Sequence, residues 1–554
     1  MASSPTGFEG RRHDVASAPA AGPGRGRAPG RRRATAVVAV LVAVALAGTA
    51  APAAAGPARS PWASTSRVSA GPAGAQPDGA SWANGLSADG RYAVFSSNAT
   101  NLVPGDTNGQ TDVFVRDTWT GRVERVSLAE DGSQGASGSY DGAISGNGRY
   151  VVFTSTAALV AGDTNGTEDL YVRDRWTGRT ERLTTGDPTR DQTDRNSYRP
   201  SVSLDGRYVA FASTRTDLVP EGTAGLANIF VTDRWHGTTR LITVGANGTP
   251  ADRPSAEPVI SADGSTVGFI SKATNLLPPD GGGTPAPAPR SAAPRTTAPQ
   301  DVIPRAVPEP AFAQPSAAEA AAEDAVPDHR PGVPSGAGRS ATGPGTGPGT
   351  GPGVAAPTGA RADILKPRQY PFYLHDLRTG RTSGGSIGTD GALHGAAGGS
   401  IGPDARYALF SLPVTDPAQP EGGLGRHFQV FLRDLRQGTV RPIGTGLGGA
   451  ALTGSSYDAV MAAGNRWVYF TSSADNLVAD DTNLVEDVFR HDLWTGRTER
   501  VSVSSDGAQT AGSSYQPFID ALGTTALFTS EDGTLVAPDT NGAPDAFARR
   551  LPLL

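Results

Sequence analysis

The 554 residues include 72 glycines, 45 prolines and only 18% charged residues, a composition suited to many short strands and turns rather than to a helix-rich enzyme. There is no cysteine, which excludes disulfides, thiolate metal sites and cysteine nucleophiles. The formal charge is −6, with 46 arginines against 2 lysines and no basic stripe, which argues against nucleic acid as a partner.

The chain opens with Arg11, Arg12, Arg25, Arg27, Arg31, Arg32 and Arg33, followed by an uncharged apolar run over 34–47 and small residues over 48–55. Basic region, apolar core and small-residue exit are the parts of a secretory signal peptide, so residues 1–55 read as a leader. The alternative is an uncleaved anchor, because the run is close to the short limit for crossing a bilayer. Contact with a membrane is expected only in that case. Residues 56–65 read as a linker.

From residue 66 onward one pattern recurs. Ser87-Ala-Asp-Gly-Arg-Tyr-Ala-Val-Phe-Ser-Ser97 is followed by Asp106-Thr-Asn-Gly-Gln-Thr-Asp-Val-Phe-Val-Arg-Asp117 and Thr120-Gly-Arg-Val-Glu-Arg-Val-Ser127. The first residues of the corresponding inner strands are Tyr92, Tyr150, Tyr208, Thr266, Tyr407, Trp467 and Thr525. Their steps are 58, 58, 58, 141, 60 and 58 residues. Each copy holds about four short strands with period-two alternation between Gly and Asp-Gly turns, here named a to d. Such a unit cannot bury its faces alone, and radial stacking is the propeller solution. The fold expected is all-β: a seven-bladed β-propeller of four-stranded blades.

The last copy has no fourth strand, whereas Ser66–Ala70 matches the tail of a repeat, Glu499-Arg-Val-Ser-Val503. The N-terminal strand is therefore expected to complete the final blade and remove its exposed edge. The long step places an insertion in blade 4, over Pro-, Gly- and Ala-rich residues 279–366, whose composition predicts disorder. The propeller then comprises 66–278 and 367–554.

The motifs Ser-x-Asp-Gly-Arg-Tyr-Val-x-Phe-x-Ser, Val-Phe-Val-x-Asp and Thr-Gly-x-x-x-Arg-Val-Ser resemble the WD-like repeat of TolB-like β-propellers, an exported bacterial type. The resemblance covers 66–554 apart from the insertion. It implies an exported protein, secreted or associated with the cell envelope, that binds a protein, peptide or glycan there. TolB proper places an α/β domain before six blades, while seven are counted here. Related propellers also gate serine peptidases, and a few are sugar lyases.

Alternating strand direction puts the a–b and c–d turns on one face and the longer b–c and d–a loops on the other, where function is expected. An aromatic recurs near the start of strand a: Trp82, Tyr140, Tyr198, Tyr457 and Tyr515. These are candidates for a ligand-binding ring at the channel mouth, with packing between blades as the alternative. The b–c loops repeat Asp-Thr-Asn-x-x-x-Asp as Asp106, Asn108, Asp112; Asp163, Asn165, Asp169; Asp481, Asn483, Asp487; and Asp539, Asn541, Asp545. Oxygen donors at alternate positions suit calcium; a self-bonded polar turn is the alternative. No other cofactor is expected.

Trp119, Trp176, Trp235 and Trp494 sit in c–d turns and are expected to pack on their own blades. Asp117, Asp174, Asp233, Asp376, Asp434 and Asp492 are expected to cap those turns. No histidine pair has metal-ligand spacing and no catalytic residue stands out. The expected role is a monomeric, non-enzymatic binding or scaffold module. The competing reading is a carbohydrate-active or other envelope hydrolase or lyase, using carboxylates at the channel mouth.

Overall fold

The computed structural model describes residues 63–186, 195–220, 223–278, 369–415 and 426–552. The leader expected at 1–55 and the insertion expected at 279–366 lie outside them. The described residues form seven antiparallel sheets that follow one another along the chain.

Blade 2 shows the unit. Strands Ser139–Ile144, Tyr150–Ser155, Asp169–Asp174 and Arg179–Arg182 pair in sequence order. In strand b every residue after Tyr150 is buried. Strands b and c are covered on both faces by neighbouring blades, so they read as near-continuous apolar runs rather than as alternating ones. The period-two expectation holds better for strand a, whose Ser81–Leu86 copy alternates buried and half-buried residues.

The core lies between blades. Val94, Val113 and Val115 of blade 1 pack with Val151, Phe153 and Tyr171 of blade 2. Inside each blade an aromatic on strand b stacks on one on strand c, from Phe95 on Phe114 at 5.6 Å to Phe528 on Phe547 at 6.3 Å. These cross-strand pairs fix the b–c register.

The glycine of the a–b turn, which follows Asn147 in blade 2, has a tertiary reason. Gly148 has φ +70°, and a Cβ there would lie 2.2 Å from the Tyr92 ring of the preceding blade. Backbone conformation and blade spacing both demand glycine.

The ring closes through the N-terminus, as expected, with a shift of bounds. The closing strand is Ser64–Arg67 rather than Ser66–Ala70, and it pairs with Asp545–Arg550 from Ser64 opposite Arg550 to Arg67 opposite Phe547. Its first two residues fall inside the stretch read as linker. Val68 and Ser69 continue past the ladder, and the Ser69 hydroxyl donates to Asp545 at 2.7 Å. Phe95 and Phe114 of blade 1 share a core with Leu527, Ala546 and Ala548 of blade 7, so the seam is packed like the other junctions.

Blade 5 departs most from the repeat. Its strand a is reduced to Gly399–Ile401, while strands b and c run for nine residues, Tyr407–Thr415 and Arg426–Asp434.

Candidate functional site

Each strand a faces the axis, and in six blades its pairing with strand b slips by one residue. In blade 2, for instance, Asp141 and Gly142 together oppose Phe153. Such bulges bend a strand and re-aim a side chain. Five bulge residues other than glycine adopt φ between 52° and 54°: Asp141, Arg199, Glu257, Asp458 and Gln516. The left-handed region costs a side-chain-bearing residue about 1–2 kcal/mol.

The equivalent place in blade 5 is Gly398, with φ 83°, and blade 1 inserts Asn84 instead. All seven residues line one axial cavity of about 490 Å³. Below them its wall continues with apolar side chains such as Leu86, Ile144, Val202, Ile260 and Phe518. The polar ring therefore holds three carboxylates against one guanidinium, and Arg199 pairs with Glu257 of the next blade at 3.4 Å.

Strained and mostly charged residues repeated around one cavity make it a candidate site that the sequence reading missed. The available signal was the variable residue that follows the aromatic in four copies, Asp141, Arg199, Asp458 and Gln516, and follows Ala256 in blade 4 as Glu257.

The aromatic candidates stand just before the bulge, the four tyrosines by one position and Trp82 by two. Trp82, Tyr140, Tyr198 and Tyr457 are half-buried and Tyr515 is buried. None is part of the cavity wall. Two of them engage acids: the Tyr140 hydroxyl donates to Glu168 and the Tyr457 hydroxyl to Glu486. Each acid begins the approach to strand c, and its backbone carbonyl accepts from the first residue of the next strand a, Ser197 or Ser514, at 2.8 and 2.7 Å. Burial pushes Glu168 up, and burial together with Glu531 pushes Glu486 up to about 7.

The Asp-Thr-Asn loops do gather their three side chains, but around an arginine. Asn108 donates to Asp112 at 3.0 Å, while Arg125 lies 3.1 Å from Asp106 and 3.2 Å from Asp112. The other oxygen of Asp112 accepts from Ser127 at 2.5 Å. Arg182 takes the same place between Asp163 and Asp169, and Arg500 between Asp481 and Asp487.

The fourth copy is completed by the closing strand. Arg67 lies 3.0 Å from Asp539 and 3.1 Å from Asp545. A guanidinium thus occupies the place of positive charge in every copy, and this donor set does not fit a dication as well. Among the described residues no group of three or more His, Asp or Glu has a metal-holding arrangement. The sequence carried this signal in the Arg-Val-Ser of strand d.

On the opposite face, turn aspartates act as expected. Asp174 accepts from the Trp176 amide at 3.0 Å and from Arg149 at 2.6 Å, and the arginine holds it down at about 2. Arg149 also lies over Trp176 at 4.7 Å. The four turn tryptophans each stack on an own-blade arginine in this way, yet remain 62–72% exposed.

No protein-family model matches the sequence, and no curated protein matches it. Among solved structures, the chain is similar to TolB from Acinetobacter baumannii, at 10% identity and a TM-score of 0.30 over 84% of this chain and 81% of that one. It is similar to a putative TolB from Agrobacterium tumefaciens, at 15% identity and a TM-score of 0.31 over 78% and 96%. It is also similar to an acylaminoacyl peptidase from Pyrococcus horikoshii, at 12% identity and a TM-score of 0.38, covering 82% of this chain and only 49% of the peptidase. Likenesses at these identities and TM-scores carry no argument about this chain, whose seven-bladed propeller is read from its own seven sheets.

Proposed function

We propose that this chain is an exported, non-enzymatic binding module of the cell envelope, which takes an extended segment of a protein, peptide or glycan into its axial channel. The observation that supports this most directly is the ring of left-handed bulge residues. Five side chains are held at a conformational cost where glycine would relieve it, and retained strain of this kind is a pointer to function. A cavity with a polar ring above apolar walls suits an extended ligand.

The test places a photo-crosslinking residue at Gln516 and, separately, at Trp176 on the opposite face, and exposes the full chain to envelope extract. Specific capture from position 516 that is abolished by Ala143→Trp, which fills the channel, supports the reading. Capture that is stronger from position 176, or indifferent to the block, counts against it.

A second reading as an envelope hydrolase or lyase draws on Glu486. A carboxyl that keeps its proton near neutral pH, beside Glu531, has the character of a general acid. Turnover of envelope glycans or peptides that Glu486→Gln removes would favour that reading.

A further inference from the structure

On the turn face, the residue that begins strand b packs against the next blade. A Cβ placed on Gly148, Gly206 or Gly264 would lie 2.2, 2.4 or 2.5 Å from the ring of Tyr92, Tyr150 or Tyr208 of the blade before. Arg175 and Arg234 then cover the first two rings at 4.1 and 4.2 Å. At the closure seam both large residues are replaced. Blade 7 has Thr525 in the place of the tyrosine, and blade 1 has Thr118 in the place of the arginine. The junction of blades 4 and 5 also begins with a threonine, Thr266, but Leu435 stands at its second position. At the seam a cavity of about 210 Å³ opens, with Asp89 and Trp119 of blade 1 and Asp520, Thr525 and Arg550 of blade 7 in its wall.

The charges of this wall have both signs and form no ion pair among the described residues. In the other six blades the position of Arg550 holds an aspartate, and in five of them that aspartate pairs with an arginine of the a–b turn. Blade 7 has Thr524 in place of that arginine. Arg550 is exposed, and its guanidinium has no hydrogen bond or ion pair among the described residues. Asp89 accepts from the Ser87 hydroxyl at 2.6 Å and the Arg91 amide at 3.0 Å, and Asp520 accepts from the Thr524 amide at 2.7 Å and hydroxyl at 2.6 Å. The two acids are neighbours, since a Cβ on Gly90 would lie 3.0 Å from Asp520 Oδ2. Trp119 is held by its amide, which donates to Asp117 at 2.9 Å, and by Arg91 over its ring at 4.9 Å, yet it is 63% exposed.

Independently of the channel reading, we propose that the seam cavity binds a free α-amino acid with an aromatic side chain. Its carboxylate pairs with Arg550, its ammonium with Asp89 and Asp520, and its ring stacks on Trp119. A guanidinium matches a carboxylate through paired N–H donors. An ammonium carries only donors and so requires acceptors such as the two aspartates. Aromatic rings favour offset or edge-to-face contact. A zwitterion answers both signs of charge at once, which a simple carboxylate or a neutral sugar does not. The volume lies below that of pockets for drug-sized ligands and suits one small molecule.

The experiment is calorimetric titration of L-phenylalanine into the full chain. L-Phenylalaninamide, which lacks the carboxylate, N-acetyl-L-phenylalanine, which lacks the ammonium, and glucuronate serve as comparison probes. Phenylalanine is expected to bind, and each capped form to bind at least tenfold more weakly. Binding across the seam should also raise the melting temperature. The repeat itself supplies variants that suit the fold. Asp89→Asn introduces the residue that blade 2 carries as Asn147, whose side chain makes the same two turn hydrogen bonds. Thr525→Tyr restores the ring that other junctions hold, and Arg550→Gln removes the guanidinium. Each is expected to weaken binding at least tenfold with melts showing a folded chain, whereas Ala143→Trp in the channel leaves binding unchanged.

No binding of phenylalanine, or equal binding by wild type and either Thr525→Tyr or Arg550→Gln, overturns the site. A capped form bound as tightly as phenylalanine overturns the zwitterion. Glucuronate bound more tightly than phenylalanine in an Arg550-dependent way assigns the cavity to an acidic sugar and overturns the amino acid. Loss of binding in Ala143→Trp alone moves the ligand to the channel and overturns the seam.

Discussion

Glu486 illustrates how a single position sets a pH dependence. Its folded pKa of about 7 lies above the ordinary glutamate value, so burial disfavours the charged form and the penalty grows as the proton leaves. Below pH 4 both folded and unfolded chains are protonated at this site and the penalty is absent. It develops as pH rises from the unfolded value through 7. Glu486→Gln is therefore expected to stabilise the protein by roughly 2 kcal/mol at pH 8 and to have no effect at pH 4. Chemical denaturation at the two pH values checks both sign and window. Gly148 presents the opposite case: Gly148→Ala is expected to destabilise by roughly 2 kcal/mol, because φ is positive and the Tyr92 ring stands in the way. A melting curve that matches wild type would remove the tertiary explanation of the turn glycine.

At the scale of the element, strand a is where structure and sequence part most clearly. The bulge leaves Gln516 and its counterparts in a left-handed conformation, and Gln516→Gly is expected to raise stability by about 0.5–1 kcal/mol while weakening ligand capture from the channel. Higher stability together with unchanged capture would sever the strain from function. The Asp-Thr-Asn loops make a second prediction. Because Arg125, Arg182, Arg500 and Arg67 already occupy them, adding a chelator is expected to leave the melting temperature unchanged. Arg125→Ala should lower stability by about 3 kcal/mol by leaving Asp106 and Asp112 buried without a counter-charge. A chelator-induced drop of several degrees would restore calcium.

For the whole molecule, closure is the decisive contact. The strand Ser64–Arg67 supplies both the outer ladder of blade 7 and the guanidinium that pairs with Asp539 and Asp545. Arg67→Ala is accordingly expected to cost about 3–5 kcal/mol. Hydrogen exchange should rise first across Asp545–Arg550, the strand left without its partner. Protection lost evenly around the ring would mean that the seam is no weaker than other junctions.

The repeat, the number of blades and the origin of the closing strand could all be read from the amino-acid sequence, because each copy must meet a similar neighbour and so keeps similar residues: a glycine at most a–b turns, aromatics on strands b and c in every blade, and Arg-Val-Ser at the end of strand d in several. The candidate site was legible only in part. Tyr140 and Tyr457 were recognised, but their partners Glu168 and Glu486 come from the residue just before strand c, some thirty positions later, and Ser514 joins Glu486 from the next blade. Four oxygen-rich loops looked like metal sites until folding brought an arginine from another strand into each. The sequence by itself determined the blades, since their contacts repeat with its period. Only the tertiary structure decided which residues face the axis and which charges are left unpaired, because both depend on a one-residue slip in strand pairing and on side chains that meet across blade boundaries.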